Sequence, residues 1–360
     1  MSTKQYMALC RQTARNAFPE SPAFKFYKVK GKLDPSPEFK EEATREWAGQ
    51  DFAQGDTEHS RTSTSWKYDW ESRLYPSVEL AMLIEFLFGY ASAEATVDTT
   101  GKKVMFYSVS DMFESGSPLG DGAITLLPHT NKPGSATTTC QRFIGGRIKD
   151  GELAFKGGED AIMKLGFMGG PWISAPELAE VAGMSFPASK KIKSGNLTCF
   201  LGSGATLTGT APLYTDIAAG SMPQFMPDDL TLKIDPGVDD KYKMNGEEGP
   251  SVTERTGSIK ITAEYTIDFS DPSSGWSSYD AWKAYYSGIE YAPLLLKMDS
   301  GELCGSVSET RKLLIYIPKM KISCEPVDRK NDGSKAKIKF KLESLVDASI
   351  GYAAFAKLVY

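Results

Sequence analysis

The amino-acid sequence predicts a mainly β fold: two similar tandem domains of β-sandwich or half-barrel type, each with one packed helix. Three observations predict it. Several stretches alternate strictly between apolar and polar residues, the period of a strand with one buried face. Only two stretches carry clear helix punctuation. The order strand, short turn, helix, glycine occurs once in each half, the kind of internal repeat that marks a duplicated unit. This repeat divides the 360 residues into a first domain over 1–170, with an N-terminal extension and long loops, completing strands and a connector over 171–227, and a second domain over 228–360.

In chain order, a helix is expected over about Lys4–Asn16, then a strand within Phe24–Leu33 that ends at Asp34-Pro35. Two long loops follow from the lack of periodicity, Lys32–Ser63 and Ala91–Pro133. Between them, Thr64–Glu71 reads as a strand with Trp66, Tyr68 and Trp70 inward, and Ser77–Gly89 as a helix. That helix has a serine N-cap, an acid in its first turn and a glycine stop. Arg142–Lys149 and Ala161–Met168 are the next strands, and the proline-rich stretch from Gly169 to Pro227 is read as completing strands and connector.

The second half repeats the order. Leu230–Ile234 and Asp235-Pro236 match the early strand, and Ser258–Phe269 is the clearest strand of all, with every odd position apolar and every even one polar. A helix over Ser278–Ser287 with Gly288 as its stop follows Asp271-Pro272. The apolar run Leu313–Ile317 predicts a strand buried on both faces. In Lys335–Leu342 every second residue is a lysine, a solvent face that also discourages edge-to-edge aggregation.

Composition limits the function classes. Hydrophobic residues at 41% and charged residues at 24% are globular proportions. The longest apolar stretch, around Leu80–Phe88, is far short of the ~18–20 residues of a membrane span, and the start of the sequence shows no signal-peptide core. A net charge of −5 argues against a protein that grips nucleic acid, which needs a basic surplus. The five cysteines, at 10, 140, 199, 304 and 324, show no Cys-x-x-Cys spacing and are expected to be free thiols.

Candidate chemistry is sparse. The two histidines, His59 and His129, lie in polar stretches, and no Gly-x-Ser-x-Gly elbow accompanies them. Asp228-Asp229, Asp239-Asp240 and Glu247-Glu248 could supply paired carboxylates for glycoside hydrolysis, yet their turn-rich context reads as solvated surface. Gly202–Gly209 lacks the Gly-Lys-Ser/Thr ending of a phosphate loop, Asn196-Leu-Thr198 is a formal glycosylation sequon, and the Trp66/Tyr68/Trp70 stripe is either core or a sugar platform. No catalytic, cofactor-binding or metal-ligating residues are assigned, and no enzyme activity is expected.

Three stretches carry a family resemblance: the strand–helix segment Ser65–Gly89; Cys140–Gly169, read as a strand, a Lys149-Asp150-Gly151-Glu152 turn and a return strand; and Gly257–Tyr360, where Ile315–Ile322 enters through Ile-Pro-Lys and Ile338–Asp347 follows a charged hairpin. The chain resembles the major tail tube proteins of long-tailed bacteriophages, in the version whose tube fold is duplicated. The resemblance implies a structural virion protein whose sheets join those of neighbouring subunits around a channel for double-stranded DNA. It also implies stacked rings, assembly in the host bacterial cytoplasm, and a tape-measure protein, a tail terminator and a distal tail or baseplate hub protein as partners. An acidic chain is expected to line that channel with charge that repels phosphate. Two units per chain suggest homotrimeric, pseudo-hexameric rings rather than homohexamers. The alternative is a two-β-sandwich carbohydrate-binding or virion decoration protein; an Asp/Glu glycosidase ranks below it.

Overall fold

The computed structural model describes residues 5–12, 25–27, 29–30, 35–45, 57–97, 101–108, 122–131, 138–170, 172–175, 189–211, 213–241, 252–255, 259–272, 275–288, 290–305, 309–329 and 335–360. The first half contains β1 (Gln5–Gln12), β2 (Lys25–Tyr27), β3 (Ser36–Arg45), β4 (Thr57–Arg73), α1 (Val78–Phe88), β5 (Gly89–Ala91), β6 (Ala95–Thr96), β7 (Lys102–Ser108), β8 (Ala123–Asn131), β9 (Thr138–Lys156), β10 (Ile162–Gly169) and β11 (Trp172–Ala175). The second contains β12 (Leu197–Leu201), β13 (Thr206–Thr210), β14 (Leu213–Ala218), β15 (Gln224–Phe225), β16 (Asp229–Asp235), β17 (Val238–Lys241), β18 (Val252–Arg255), β19 (Lys260–Asp268), α2 (Ser278–Ser287), β20 (Glu290–Leu303), β21 (Thr310–Cys324), β22 (Lys337–Ser344) and β23 (Phe355–Val359). The fold is mainly β, as the alternation predicts.

Both helices have the caps their sequences announce. Ser77 Oγ accepts from the N–H of Leu80, and Gly89 closes α1 at φ 106°, a left-handed conformation that suits glycine. Ser277 Oγ accepts from the N–H of Asp280 at the start of α2. Their burial differs. α1 buries Leu80, Leu83, Ile84, Phe86, Leu87 and Phe88, whereas only Ser278 and Ala281 of α2 are buried. Trp282 packs on Phe269, and Tyr286 stays exposed.

Nineteen strands form one antiparallel sheet, with β13–β14 and β17–β18 as separate hairpins. Its main run is β3–β4–β10–β9–β16–β19–β22–β21–β20–β12–β15. The two halves meet inside it: β9 pairs with β16 from Gly151↔Ile234 to Lys156↔Asp229. Two strands serve two layers each. The first part of β9 carries β8, β1 and β2 on one side and β11 on the other; β21 carries β23, which pairs with β7. Between the layers lies one core cluster built from both halves, including Trp66, Trp70, Phe86, Phe167, Tyr265, Met298 and Phe340. A smaller cluster around Tyr107, Ile217, Leu295 and Phe355 sits under the β13–β14 hairpin.

Several expectations are corrected. Residues 5–12 form β1, not a helix; Met7, Ala8, Leu9 and Cys10 are all buried, and a short apolar run buried on both faces carries no period to separate it from a helix. The stretches read as long loops contain β3 and the start of β4, and then β6, β7 and β8. Lys149–Glu152 is not a turn, because β9 runs straight through it and the chain reverses at Gly157-Gly158. Gly151 is a packing residue, since a Cβ there would lie 2.8 Å from Leu87 Cδ2 on α1. Within 171–227, β11 pairs with β9 and β12 with β20, so this stretch supplies strands to both halves.

Candidate functional site

Alternation along six neighbouring strands gathers the charged side chains on one face. β4 contributes Lys67, Asp69, Glu71 and Arg73; β10, Lys164; β9, Asp150, Glu152 and Lys156; β16, Asp229, Lys233 and Asp235; β19, Lys260, Glu264 and Asp268; β22, Lys337, Lys339, Lys341 and Glu343. The opposite-facing residues, such as Trp70, Leu165, Leu153, Leu232, Ala263 and Phe340, are buried in the core. The result is a continuous, open, hydrophilic surface that crosses the boundary between the halves.

Its charges are interleaved. Lys164 Nζ lies 2.9 Å from Glu152, Lys339 lies 3.0 Å from Glu264 and 3.6 Å from Glu325, Lys260 lies 3.3 Å from Glu343, and Lys337 lies 2.6 Å from Asp228. Exposed pairs of this kind contribute little to stability; their collective effect is to pair the lysines. Hydrogen bonding to Glu264 raises the pKa of Lys339, and the same bond lowers that of Glu264. Acidic and basic side chains are equally numerous on the face, so the net charge of −5 is not concentrated there.

One carboxylate departs from the pattern. Partial desolvation pushes the pKa of the exposed Asp150 up, and the charges of Asp69 and Asp235 add to the rise, while Lys149 and the Gly166 N–H oppose it. A carboxyl raised in the folded state destabilises it when ionised, so stability falls as pH rises from the usual value of 3.8 through the raised one. Asp150→Asn is therefore expected to leave stability at pH 3 almost unchanged and to increase it slightly at pH 7, as read from urea midpoints at the two values.

The residues singled out in the sequence are not brought together. His129 lies on β8 opposite Tyr6 and Cys140, and His59 on the first part of β4 opposite Ala43. Asp229 opens β16 on the charged face with Asp228 just before the strand, Asp239 and Asp240 lie on the β17–β18 hairpin, and Glu247-Glu248 lies outside the described residues. Gly202–Gly209 leads into strand β13, so no helix N-terminus stands ready for a phosphate. Asn196 Nδ2 donates to the backbone oxygen of Asp299. Trp66, Tyr68 and Trp70 are at most 4% exposed, which makes the stripe core and removes it as a sugar platform. Cys199 and Cys324 are free thiols, and burial raises the Cys199 pKa to about 12.

No protein-family model and no curated protein sequence matches the chain. No helix among the described residues is long and apolar enough to cross a membrane. The feature sequence reasoning missed is the balance of the charged face. Its signal was present as polar residues, most of them charged, at every second position of 229–235, 260–268 and 337–343, but it emerges only when the strand order is known.

Proposed function

We propose that this chain is a structural subunit that self-assembles into rings, stacked into the tail tube of a long-tailed bacteriophage, with double-stranded DNA passing through the channel. The observation that carries the reading is the charged face: an open sheet surface, apolar beneath and hydrophilic above, running without a break through both halves. A wall of that kind suits a water-filled lumen. Phosphates slide along it because Lys164, Lys260, Lys337 and Lys339 are already held by carboxylates, leaving few cations to release counterions from DNA. The chain is a subunit of the virion tail in this reading, with the tape-measure, terminator and distal tail or hub proteins as neighbours.

The test is negative-stain electron microscopy of the purified protein over rising concentration, followed by incorporation into tails. Rings or tubes with a central hole and three-fold symmetry are expected. Six-fold rings of whole chains would keep the role and remove the three-copy count. Single compact particles that also fail to enter tails would overturn the proposal.

A further inference from the structure

β20, β21, β23 and β7 form one layer that buries side chains on both of its faces. Leu296, Ile315, Ala356 and Phe106 stand in one cross-strand row and belong to the large core. The next row along, Leu295, Tyr316, Phe355 and Tyr107, points the other way, and beside it Leu314 and Met105 flank Lys357. The β13–β14 hairpin lies over this outer face: Ile217 joins its cluster, and Tyr214 meets Phe355 edge-on at 5.0 Å. The face spans the seam between the halves, because β7 comes from the first and β23 from the second.

The hairpin is attached lightly. Its two strands pair with each other and with no other described strand, and Ile217 is their one buried residue. Both ends of the hairpin leave the body through a narrow stem, where the N–H of Ser221 donates to the oxygen of Gly204. Gly204 at φ 113° and Gly220 at φ 55° turn the chain there, and a Cβ on either would collide with the opposing side of the stem. An ion pair ties the hairpin to the face, with Lys357 Nζ 2.8 Å from Asp216.

The lysine gives this arrangement its meaning. A permanent core gains nothing from an ammonium group, since an apolar replacement of similar size is often neutral or stabilising. A face that is wet part of the time does gain, because a charge at its centre breaks up what would be a bare apolar patch. The two carboxylates are placed to match. Asp216 belongs to the hairpin, and Glu309, 2.9 Å from the same Nζ, belongs to the body. Lifting the hairpin therefore leaves the cation with one carboxylate and water.

We infer that the β13–β14 hairpin is a hinged cover, latched by Lys357 on Asp216. It swings away about the Gly204–Gly220 stem and bares the outer face of β20, β21, β23 and β7 while the large core stays folded. This device is separate from the ring reading above. Its opening breaks few buried contacts and so takes place well before global unfolding.

The test is thiol labelling of the full chain with iodoacetamide, read by peptide mass. Leu314→Cys puts a probe on the covered face at a position 4% exposed, and Cys199, 1% exposed in the large core, reports global opening. Position 314 is expected to react at least about ten-fold faster than Cys199. Asp216→Lys, added to Leu314→Cys, replaces the latch with two ammonium groups; it is expected to speed position 314 by a further factor of about ten while Cys199 stays protected. In the unaltered chain, amides of β13 and β14 are expected to exchange at least about ten-fold faster than those of β20 and β21, because a lifted two-stranded hairpin is marginal on its own. That measurement decides the matter if Leu314→Cys does not fold. Equal labelling of position 314 and Cys199, equal exchange of the two pairs of strands, or loss of Cys199 protection in the Asp216→Lys variant would each overturn the hinged cover.

Discussion

Trp66→Ala is expected to cost about 3–5 kcal/mol of folding stability, the range for removing a fully buried aromatic side chain. The indole is 0% exposed, its Nε1 donates to the Ile144 oxygen at 2.9 Å, and its ring meets Phe143 edge-on at 5.5 Å between centroids. It sits where β4, β9 and the end of β10 converge, and the backbone has been kept bare to admit it. A Cβ at Gly146 would lie 2.8 Å from the indole Cη2 and 2.6 Å from the Ile124 oxygen; one at Gly169 would lie 2.9 Å from the indole and 2.8 Å from the Gly145 oxygen. The cavity left by alanine is walled by backbone in sheet pairings and collapses poorly, which places the loss toward the upper end of the range. Denaturant titration measures it. Trp66→Phe, which keeps most of the volume and loses the hydrogen bond, is expected to cost clearly less, and Gly146→Ala to destabilise by overpacking. A loss under about 1 kcal/mol for Trp66→Ala would mean that the β4–β9 packing is looser than these distances require.

The same residue shows what the sequence could and could not announce. Trp66, Tyr68 and Trp70 were legible as one face of a strand because the period-2 pattern is local. So were α1 and α2, whose caps lie within a few residues of the helices they close. β1 was not, because its four consecutive buried residues have no period. Nor was Gly151, which reads as a turn residue beside Asp150 and is a contact with Leu87, a residue sixty-odd positions earlier. The charged face follows the same logic: alternation in 260–268 and 337–343 told which side chains face water, while the pairing of Thr262 with Glu343, or of Lys156 with Asp229, is a register between distant strands. Net charge, summed over the whole chain, hid a surface on which the signs cancel.

Lys357 presents the second large effect, with a sign that depends on which partner is removed. Its side chain on β23 is 4% exposed, and its Nζ lies 2.8 Å from Asp216 on the β13–β14 hairpin and 2.9 Å from Glu309 before β21. Burial lowers the pKa of this lysine, but the hydrogen bonds it donates to both carboxylates, with their charges, outweigh it and the net shift is upward. Burial raises Asp216 and Glu309, and the Lys357 hydrogen bond and charge carry both below their ordinary values. The asymmetry lies in exposure: the carboxylates keep 46% and 26% of their side-chain surface in water, and the ammonium keeps almost none. Lys357→Met, a filler of similar length, is therefore expected to change stability at pH 7 by no more than about 1 kcal/mol, since hydrophobic replacements of buried charge are often neutral. Asp216→Asn with Glu309→Gln strands the buried cation and is expected to cost about 3–5 kcal/mol, the range for breaking such a group from its partners. The pH dependence separates the two causes. Carboxylates lowered by folding stabilise above their unfolded values of 3.8 and 4.5, and that contribution disappears as pH falls through the lowered folded values. The raised lysine contributes fully below 10.5 and loses its share only as pH climbs through its folded value. Lys357→Met should consequently flatten the acid limb of the stability profile, and the double carboxylate variant should unfold more readily at neutral pH than at pH 11, relative to wild type. Equal stability of the two variants at pH 7 would mean that water, not Asp216 and Glu309, solvates the ammonium, and that the hairpin is held to β23 by the apolar contacts around Ile217 and Phe355 alone.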